Sequence, residues 1–400
     1  MPESQGQSDR VLIVGAGPAG LTIAACLAEA GLEATVLEAE PALPTNLRAS
    51  TFHPPTLDML DRFGATQKLL EQGLIAPTFQ YRTRSEGILG EFDFGELRDV
   101  TTRPFRLQCE QYKLNFALLD YIDAAPSVDV RFDAAVESAM QDEDGVTVRL
   151  ANGETVRGGW LVGADGARSV VREALGIPFE GFTWPEAFLV ISTPFPFEEH
   201  FKNLCLVNYF AEAEDWFFLL RAPDFWRVMV PTKDGENEAD IFAPESVQAR
   251  LHQVLPRDEP YEVAHTTLYR VHQRVAPRYR EGRGFLAGDA AHINNPLGGM
   301  GMNGGIHDAF NLGEKLVQVI SGEAAPALLD AYEAERRPVA LDYVNRITIA
   351  NKRNLETSDP AEQAAFRAML RATQADPAKR RRYLLQASML ASLGIGVPAA

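Results

Sequence analysis

Apolar and polar positions alternate along this chain in several distinct ways. The run 10-RVLIVGAG-17 is apolar without a break and then turns to glycine, the pattern of a strand buried on both faces that ends in a tight turn. Residues 18–31 repeat Leu, Ile and Ala at helical spacing and stop at Gly31, a helix C-cap. With the strand 33-EATVLEAE-40 they complete a βαβ unit of about thirty residues. The spacing then predicts a helix over 55–73 broken near Gly64, strands within 79–107, and an amphipathic helix over 111–125 with Leu114, Leu118, Leu119 and Ile122 on one side. Segments 129–144 and 145–152 alternate as a hairpin-like pair, and Asn152-Gly153 is a further hairpin turn signal. The strand in 154-ETVRGGWLVGADG-166 leads into a second glycine turn.

From 181 to 275 the character changes. Aromatics crowd in, and runs such as 187-AFLVIST-193, 204-LCLVNYFA-211, 216-WFFLLRA-222 and 226-WRVMVPT-232 predict a mostly antiparallel sheet. The parallel pattern resumes at 284-GFLAGDAAH-292, followed by helices over 303–321 and 326–352 and a helical last fifty residues ending in the apolar stretch 388–398. The expected fold is α/β: a discontinuous Rossmann-like nucleotide-binding domain (10–75, 106–180 and 276–352), an inserted antiparallel β-sheet substrate domain (76–105 and 181–275), and a C-terminal helical segment (353–400). The polar residues 1–9 are expected to be disordered.

Composition narrows the function. A formal charge of −17 and a pI near 4.9 argue against nucleic acid or an anionic membrane as partner. The tight basic run 379-KRRR-382 reads as a solvated helix face. Cys26, Cys109 and Cys205 have no metal or disulfide spacing, so no metal is expected, and a reducing cytoplasm suits them. No apolar run is long enough for a membrane span.

The chemistry lies in three glycine-rich turns. In 15-GAGPAG-20, Gly15 allows the turn, Gly17 lets backbone approach a pyrophosphate, Pro18 and Ala19 open the helix, and Gly20 lets helix and strand pack closely. The helix N-terminus offers N–H groups and partial positive charge to phosphates. Glu38, eighteen residues beyond Gly20 at the end of the second strand, is placed to accept from the ribose hydroxyls. An acid there disfavours a 2′-phosphate and leaves FAD or NAD. The block 161-LVGADGARSVVR-172 is either a ligand-contacting turn at Asp165 and Arg168 or an ordinary capped helix start. The third, 288-GDAAHINNPLGGMGMNGG-305, puts Asp289 at the carboxyl end of a strand, in reach of a ribityl hydroxyl, and starts a helix near Asn303 aimed at a ligand.

Together, GAGPAG, GADGARSVVR and GDAAHINNPLGGMGMNGGIHDAFNLGEKL make the chain resemble the single-component FAD-dependent aromatic hydroxylases, which include para-hydroxybenzoate hydroxylase and the phenol hydroxylases, over about 11–350. The resemblance implies that NAD(P)H reduces FAD, that O₂ then forms a flavin hydroperoxide, and that one oxygen passes to an electron-rich ring of the phenol, hydroxybenzoate or hydroxypyridine type. It assigns Gly15, Gly17, Gly20 and Glu38 to the adenosine and pyrophosphate site, Arg48 to the pyrophosphate, and Gln111 to a polar FAD contact. It further assigns Asp289 to the ribityl chain, Gly301, Met302 and Asn303 to the flavin ring, and Asp165 and Arg168 to a block serving FAD and the transient NADH or NADPH. It leaves a halogenase, epoxidase or reductase on the same scaffold as the alternative, although the W-x-W-x-I-P signature of flavin halogenases is missing. A non-catalytic FAD-binding module is the reading from another class; it fits poorly with an intact third block. No thioredoxin-like domain of the kind larger members carry is expected within these residues.

On the substrate side, His53 reads either as a base for a phenol or as a loop histidine bonded to backbone. Pro296 would set its carbonyl near the bound ring, and His292 belongs to the strand turn. Tyr209, Arg221, Arg227 and Tyr269 lie in the inserted sheet and face either the substrate or solvent. The expected state is a monomer or homodimer, with 380–394 covering either the active site or a dimer face.

Overall fold

The computed structural model describes residues 9–212 and 215–397; most of the polar leader expected to be disordered, and the final Pro398 of the apolar stretch, lie outside the described residues. The chain is α/β. Val11–Val14 pairs in parallel with Ala34–Leu37 on one side and Trp160–Gly163 on the other. Gly284–Leu286 and Val128–Arg131 extend this sheet in parallel, and Arg280–Glu281 closes one edge antiparallel. Its central strands are buried throughout because helices cover both faces. The dinucleotide helix Pro18–Glu29 packs on the long helix Met300–Ile320, where a side chain at Gly313 would meet Cys26 at 2.9 Å. Cys26 is a core residue, and burial pushes its thiol up to about 12.

The segment 129–144 is two strands in two sheets, not one. Asp133 turns the chain at φ 52°, so Val128–Arg131 joins the parallel sheet while Val136–Gln141 pairs with Val146–Leu150. Asn152-Gly153 turns Val146–Leu150 back onto Thr155–Gly158, with Gly153 at φ 88°.

An eight-stranded sheet forms the second layer. Its order is His292–Ile293, His265–Val275, Glu180–Thr193, Trp226–Pro231, Phe217–Arg221, Val207–Phe210, Thr78–Thr83 and Gly87–Asp93. The pairing is antiparallel except where Val207–Phe210 meets Thr78–Thr83 in parallel, so residues 78–93 join the sheet of 180–275. Period-two alternation sorts the aromatic crowd to two faces. Phe188, Tyr209, Trp216 and Phe218 face inward, with Phe79 and Phe92. Phe197, Phe210, Phe217 and Trp226 face outward, under the helix Pro244–Val254.

The C-terminal helices Pro360–Ala375 and Pro377–Ala387 close the inner side. Tyr383 packs 4.6 Å from the Phe92 ring and donates to the Tyr81 hydroxyl at 3.1 Å. The basic run is an exposed face whose Arg380 and Arg381 pair with Glu96 and Asp99.

Candidate active site

The three glycine-rich turns meet at the carboxyl ends of the parallel strands. Gly15 takes φ 102°, and a Cβ there would stand 2.5 Å from the carbonyl oxygen of Ala164, so the GADG turn lies directly against the first. A Cβ on Gly20 would stand 2.0 Å from the Gly15 carbonyl oxygen, whereas one on Gly17 would meet no protein atom within 4 Å. The loop is thus tight where helix meets strand and open where a pyrophosphate would lie. The helix begins at Pro18 with no side-chain cap, so its first N–H groups remain for a ligand. Glu38 accepts from Ala16 N–H at 2.7 Å and Glu40 N–H at 3.1 Å, which fixes the carboxylate at the loop's edge.

Asp165 accepts from the Ser169 hydroxyl and from Val171 N–H at 3.2 Å, and burial raises its pKa. It therefore holds the start of the helix Val170–Ala174, while Arg168 is exposed. Arg172, a residue the sequence reading passed over, donates to the carbonyls of Ala290 and Ala167 and stacks over Phe179 at 4.1 Å. It ties the second turn to the third. A Cβ on Gly288 would meet Ala19 at 3.1 Å, which brings Asp289 beside the dinucleotide helix.

Water reaches Asp289, yet protein surrounds it closely enough that lost hydration raises its carboxyl pKa, opposed by His292 and Arg48. Asp289 is exposed on one side, and Arg48 stands close enough to oppose the raise. The Arg48 segment is anchored from below: Ala49 accepts from Gln111 N–H at 2.9 Å, and Arg227 donates to the Arg48 carbonyl at 2.6 Å. Tyr269 donates to the Leu47 carbonyl at 3.0 Å. Arg48, Gln111, Asp289 and Tyr269 are thus brought together.

The floor is the turn 296–299. The Pro296 carbonyl accepts from Gly299 N–H at 2.9 Å, so it closes the turn. Gly299, at φ 67°, starts Met300–Ile320 with no side-chain cap, and a Cβ there would crowd Thr51 at 3.2 Å. Asn303 is fully buried and staples the turn to the neighbouring strand. Its Oδ1 accepts from His53 N–H at 2.9 Å, and its Nδ2 donates to the carbonyls of Thr51 at 2.8 Å and Gly299 at 2.7 Å. Gly301 and Met302 lie in the first turn, half-buried.

His53 is fully buried with Nε2 2.8 Å from the Gly298 carbonyl, which makes Nε2 the protonated nitrogen. Burial, and then nearby Arg106, hold its pKa well below 6.5. That weakens it as a base and favours the backbone-bonded reading. His292 bonds Asp308 at 2.6 Å, and Arg336 donates to the same carboxylate at 2.7 Å. Burial pushes Asp308 up, but His292 and Arg336 outweigh it and bring the acid down to about 2. Tyr209 lies on the inner face, stacked on Tyr81 at 5.3 Å. Arg221 does not reach the chamber: it bonds the Ala222 carbonyl at 2.9 Å and lies 6.0 Å over Trp226 of the outer face, because strand alternation turns it away from Leu220.

His307 bonds the Thr56 hydroxyl at 2.8 Å, and burial lowers its pKa to about 3. Below 6.5 the unfolded chain binds a proton that folded His307 refuses, so its stabilising contribution is present above 6.5 and is lost as pH falls toward 3. The expected slope is about 1.4 kcal/mol per pH unit for one such group. Thermal midpoints measured between pH 7 and 5 should fall, and His307→Gln should flatten the fall; an unchanged slope counts against this assignment.

The residues fit FAD. The open side of Gly17 and two uncapped helix starts offer N–H groups to phosphates and ring, and Asp289 near Arg48 offers an acceptor and a cation between them. The buried Gln108 Nε2 and His53 Nδ1 have no partner in the protein near the floor. Among the described residues no cluster is set to hold a metal, and no helix is long and apolar enough to cross a membrane.

The FAD binding domain family matches residues 9–347. The chain is 35% identical over 389 residues to para-nitrophenol 4-monooxygenase of Pseudomonas sp. (strain WBC-3), covering 96% of each. It is 36% identical to 6-hydroxy-3-succinoylpyridine 3-monooxygenase HspB of Pseudomonas putida (strain DSM 28022 / S16) over 361 residues, 88% of this chain and 90% of that one. The crystal structure of p-nitrophenol 4-monooxygenase PnpA from Pseudomonas putida DLL-E4 superposes with a TM-score of 0.90 at 33% identity, covering 97% and 98%. The chain belongs to the FAD binding domain family. Within it, the chain is a flavoprotein aromatic monooxygenase that uses FAD, with NAD(P)H as transient co-substrate.

Proposed function

We propose that the chain hydroxylates a small phenol- or hydroxypyridine-type ring held between the 296–303 turn and the inner face of the eight-stranded sheet. The observation that carries this is the enclosed aromatic wall of Tyr81, Tyr209, Trp216 and Phe218 on the side of the sheet that includes the Arg48 anchor. Bound FAD, reduced by NAD(P)H, would supply the activation of O₂, from which one oxygen atom passes to the ring. The protein supplies position and dryness. Gly15, Gly17, Pro18, Ala19 and Gly20 present backbone to the pyrophosphate, and Glu38 takes the adenosine ribose. Arg48 and Gln111 grip the middle of the cofactor, Asp289 its ribityl chain, and Gly301, Met302 and Asn303 its ring. Asp165 serves by holding the second turn in place. The start of Met300–Ile320 stabilises negative charge on the ring of the cofactor. His53 holds the floor through Gly298, and Pro296 closes it. Tyr209 and Tyr269 bound the substrate, and the aromatic wall excludes water. The domains run as the sequence pattern divides them, and the protein works as a monomer or homodimer in the cytoplasm.

The test is NAD(P)H oxidation and product analysis on the purified yellow protein with phenols, hydroxybenzoates and hydroxypyridines. Hydroxylated product with at least one ring is expected. A protein that holds FAD but neither speeds NAD(P)H oxidation nor yields product with any ring sinks the reading.

A further inference from the structure

Arg106 opens the strand Arg106–Gln108 and is 2% exposed. Its guanidinium lies 4.8 Å over the Phe79 ring and 5.1 Å over the Phe94 ring. Nη2 donates to the Ala387 carbonyl at 3.0 Å, and Nε is buried without a partner. No carboxylate lies within 4.0 Å of it among the described residues.

A guanidinium stays charged at any pH the protein meets, and burying it without a counter-charge is costly. Several other buried cations here have a carboxylate, and Arg82 and Arg172, which have none, are each held by two backbone carbonyls. Arg336 has Asp308 at 2.7 Å, and Lys352 has both Glu186 and Glu356. Arg227 also lacks a carboxylate and leaves Nε and Nη2 unpartnered, but its Nη1 is committed to the Arg48 carbonyl and the Ser50 hydroxyl, which ties it to the Arg48 segment. Arg106 instead sits among groups of the chamber. It faces the same Phe79 ring as Tyr81 and Tyr383, whose rings each lie 6.2 Å from that ring and whose hydroxyls are 3.1 Å apart, and its charge helps depress His53. Cationic and hydroxyl donors therefore converge with no anion of the protein between them.

We propose that Arg106 is the anion subsite of the substrate chamber, and that it selects phenols acidic enough to bind as phenolates, with the Tyr81–Tyr383 hydroxyl pair beside the same oxygen. The proposal deepens the aromatic hydroxylase reading and rests on it. The phenol leaves its proton with water before or on binding, and the O–H bond is the only one broken. A phenolate ring is richer in electrons than its phenol, so the cation would do by charge what a histidine base would do by proton transfer. This accounts for a fully buried His53 being a poor base. Arg106 acts as a substrate-binding residue, at one end of the wall that Tyr209 continues.

The probes are 4-nitrophenol and its O-methyl ether 4-nitroanisole, titrated into the FAD-loaded enzyme and read by the flavin absorbance. In the wild type, 4-nitrophenol is expected to tighten as pH rises through its own ionisation, and 4-nitroanisole to show no such change. Arg106→Gln should weaken 4-nitrophenol about 100-fold and erase that pH dependence, the size of one lost charge-assisted contact, with 4-nitroanisole within about threefold. Arg106→Lys, which keeps the charge, should restore most of the loss. Equal weakening of both probes by Arg106→Gln, or a retained pH dependence, overturns the proposal. If Arg106→Gln does not fold or loses FAD, the wild type and Arg106→Lys decide: wild-type 4-nitrophenol binding that does not tighten with pH, or binding in Arg106→Lys with the wild-type profile lost, also overturns it. Tighter binding of benzoates than of acidic phenols overturns the phenolate assignment. Failure of every ring to bind or react in the wild type would instead sink the hydroxylase reading itself.

Discussion

Replacement of Gly20 by alanine should leave the protein unable to retain FAD. The added Cβ would lie 2.0 Å from the Gly15 carbonyl oxygen and 3.4 Å from the Ala164 side chain. Backbone holds the closest of these atoms, so the first turn of Pro18–Glu29 must move, and its N–H groups move with it. Overpacking of this kind costs about 1–3 kcal/mol of stability. The cofactor loses more, because donors displaced by an ångström no longer meet the phosphates: we expect FAD affinity to fall at least about 100-fold. Gly17→Ala is the control. Its methyl meets no protein atom within 4 Å, so the apoprotein should melt normally while FAD still binds more weakly. Flavin content by absorbance and melting of the deflavinated proteins separate the two effects. A Gly20→Ala protein that purifies with one FAD per chain would falsify this view of the loop.

Asn303→Ala should be the most damaging single change at the floor. It removes the acceptor for His53 N–H and the donors for the Thr51 and Gly299 carbonyls, all buried. At about 1–3 kcal/mol for a buried group left unsatisfied, a loss near 3 kcal/mol is expected. Activity should fall more than tenfold in the fraction that remains folded, because the turn meeting the flavin is no longer pinned to the Thr51–Phe52 strand. Asn303→Asp tests the direction of the hydrogen bonds. It keeps the shape and the acceptor for His53 N–H, but sets a second oxygen against two carbonyls. It should destabilise at least as much as alanine, and a near wild-type melting curve for Asp would refute the donor assignment.

Much of this architecture could be read from the sequence, because local pattern and tertiary role coincide there. Val11–Val14, the glycine loop and Glu38 announce themselves by apolar run, turn chemistry and spacing. The same holds for Asn152-Gly153 and for Gly64, which breaks its helix at φ 67°. Asp133 was illegible: the alternation of 129–144 runs straight through it, and only the tertiary pull of two different sheets puts an aspartate at positive φ. Arg221 failed for a related reason. Its strand was evident, but period two gives faces only relative to neighbours, and which face is inner depends on the packing of the whole sheet. Arg106 and Arg172 carry no motif at all. Their significance is a missing counter-ion in one case and two distant carbonyls in the other, and neither is written in nearby residues.

The C-terminal wall also sets an order of assembly. Tyr383 reaches Tyr81 across 302 positions, and Arg106 meets Ala387 across 281. On the ribosome the rings of Phe79, Phe92 and Tyr81 must wait, uncovered, until that helix has emerged. Contacts so distant in sequence form slowly, and exposed aromatics invite association meanwhile. The glycine loop and its helix, by contrast, are made well before that helix. A newly made chain can therefore have its nucleotide-binding βαβ unit in place long before it has anywhere to put a substrate.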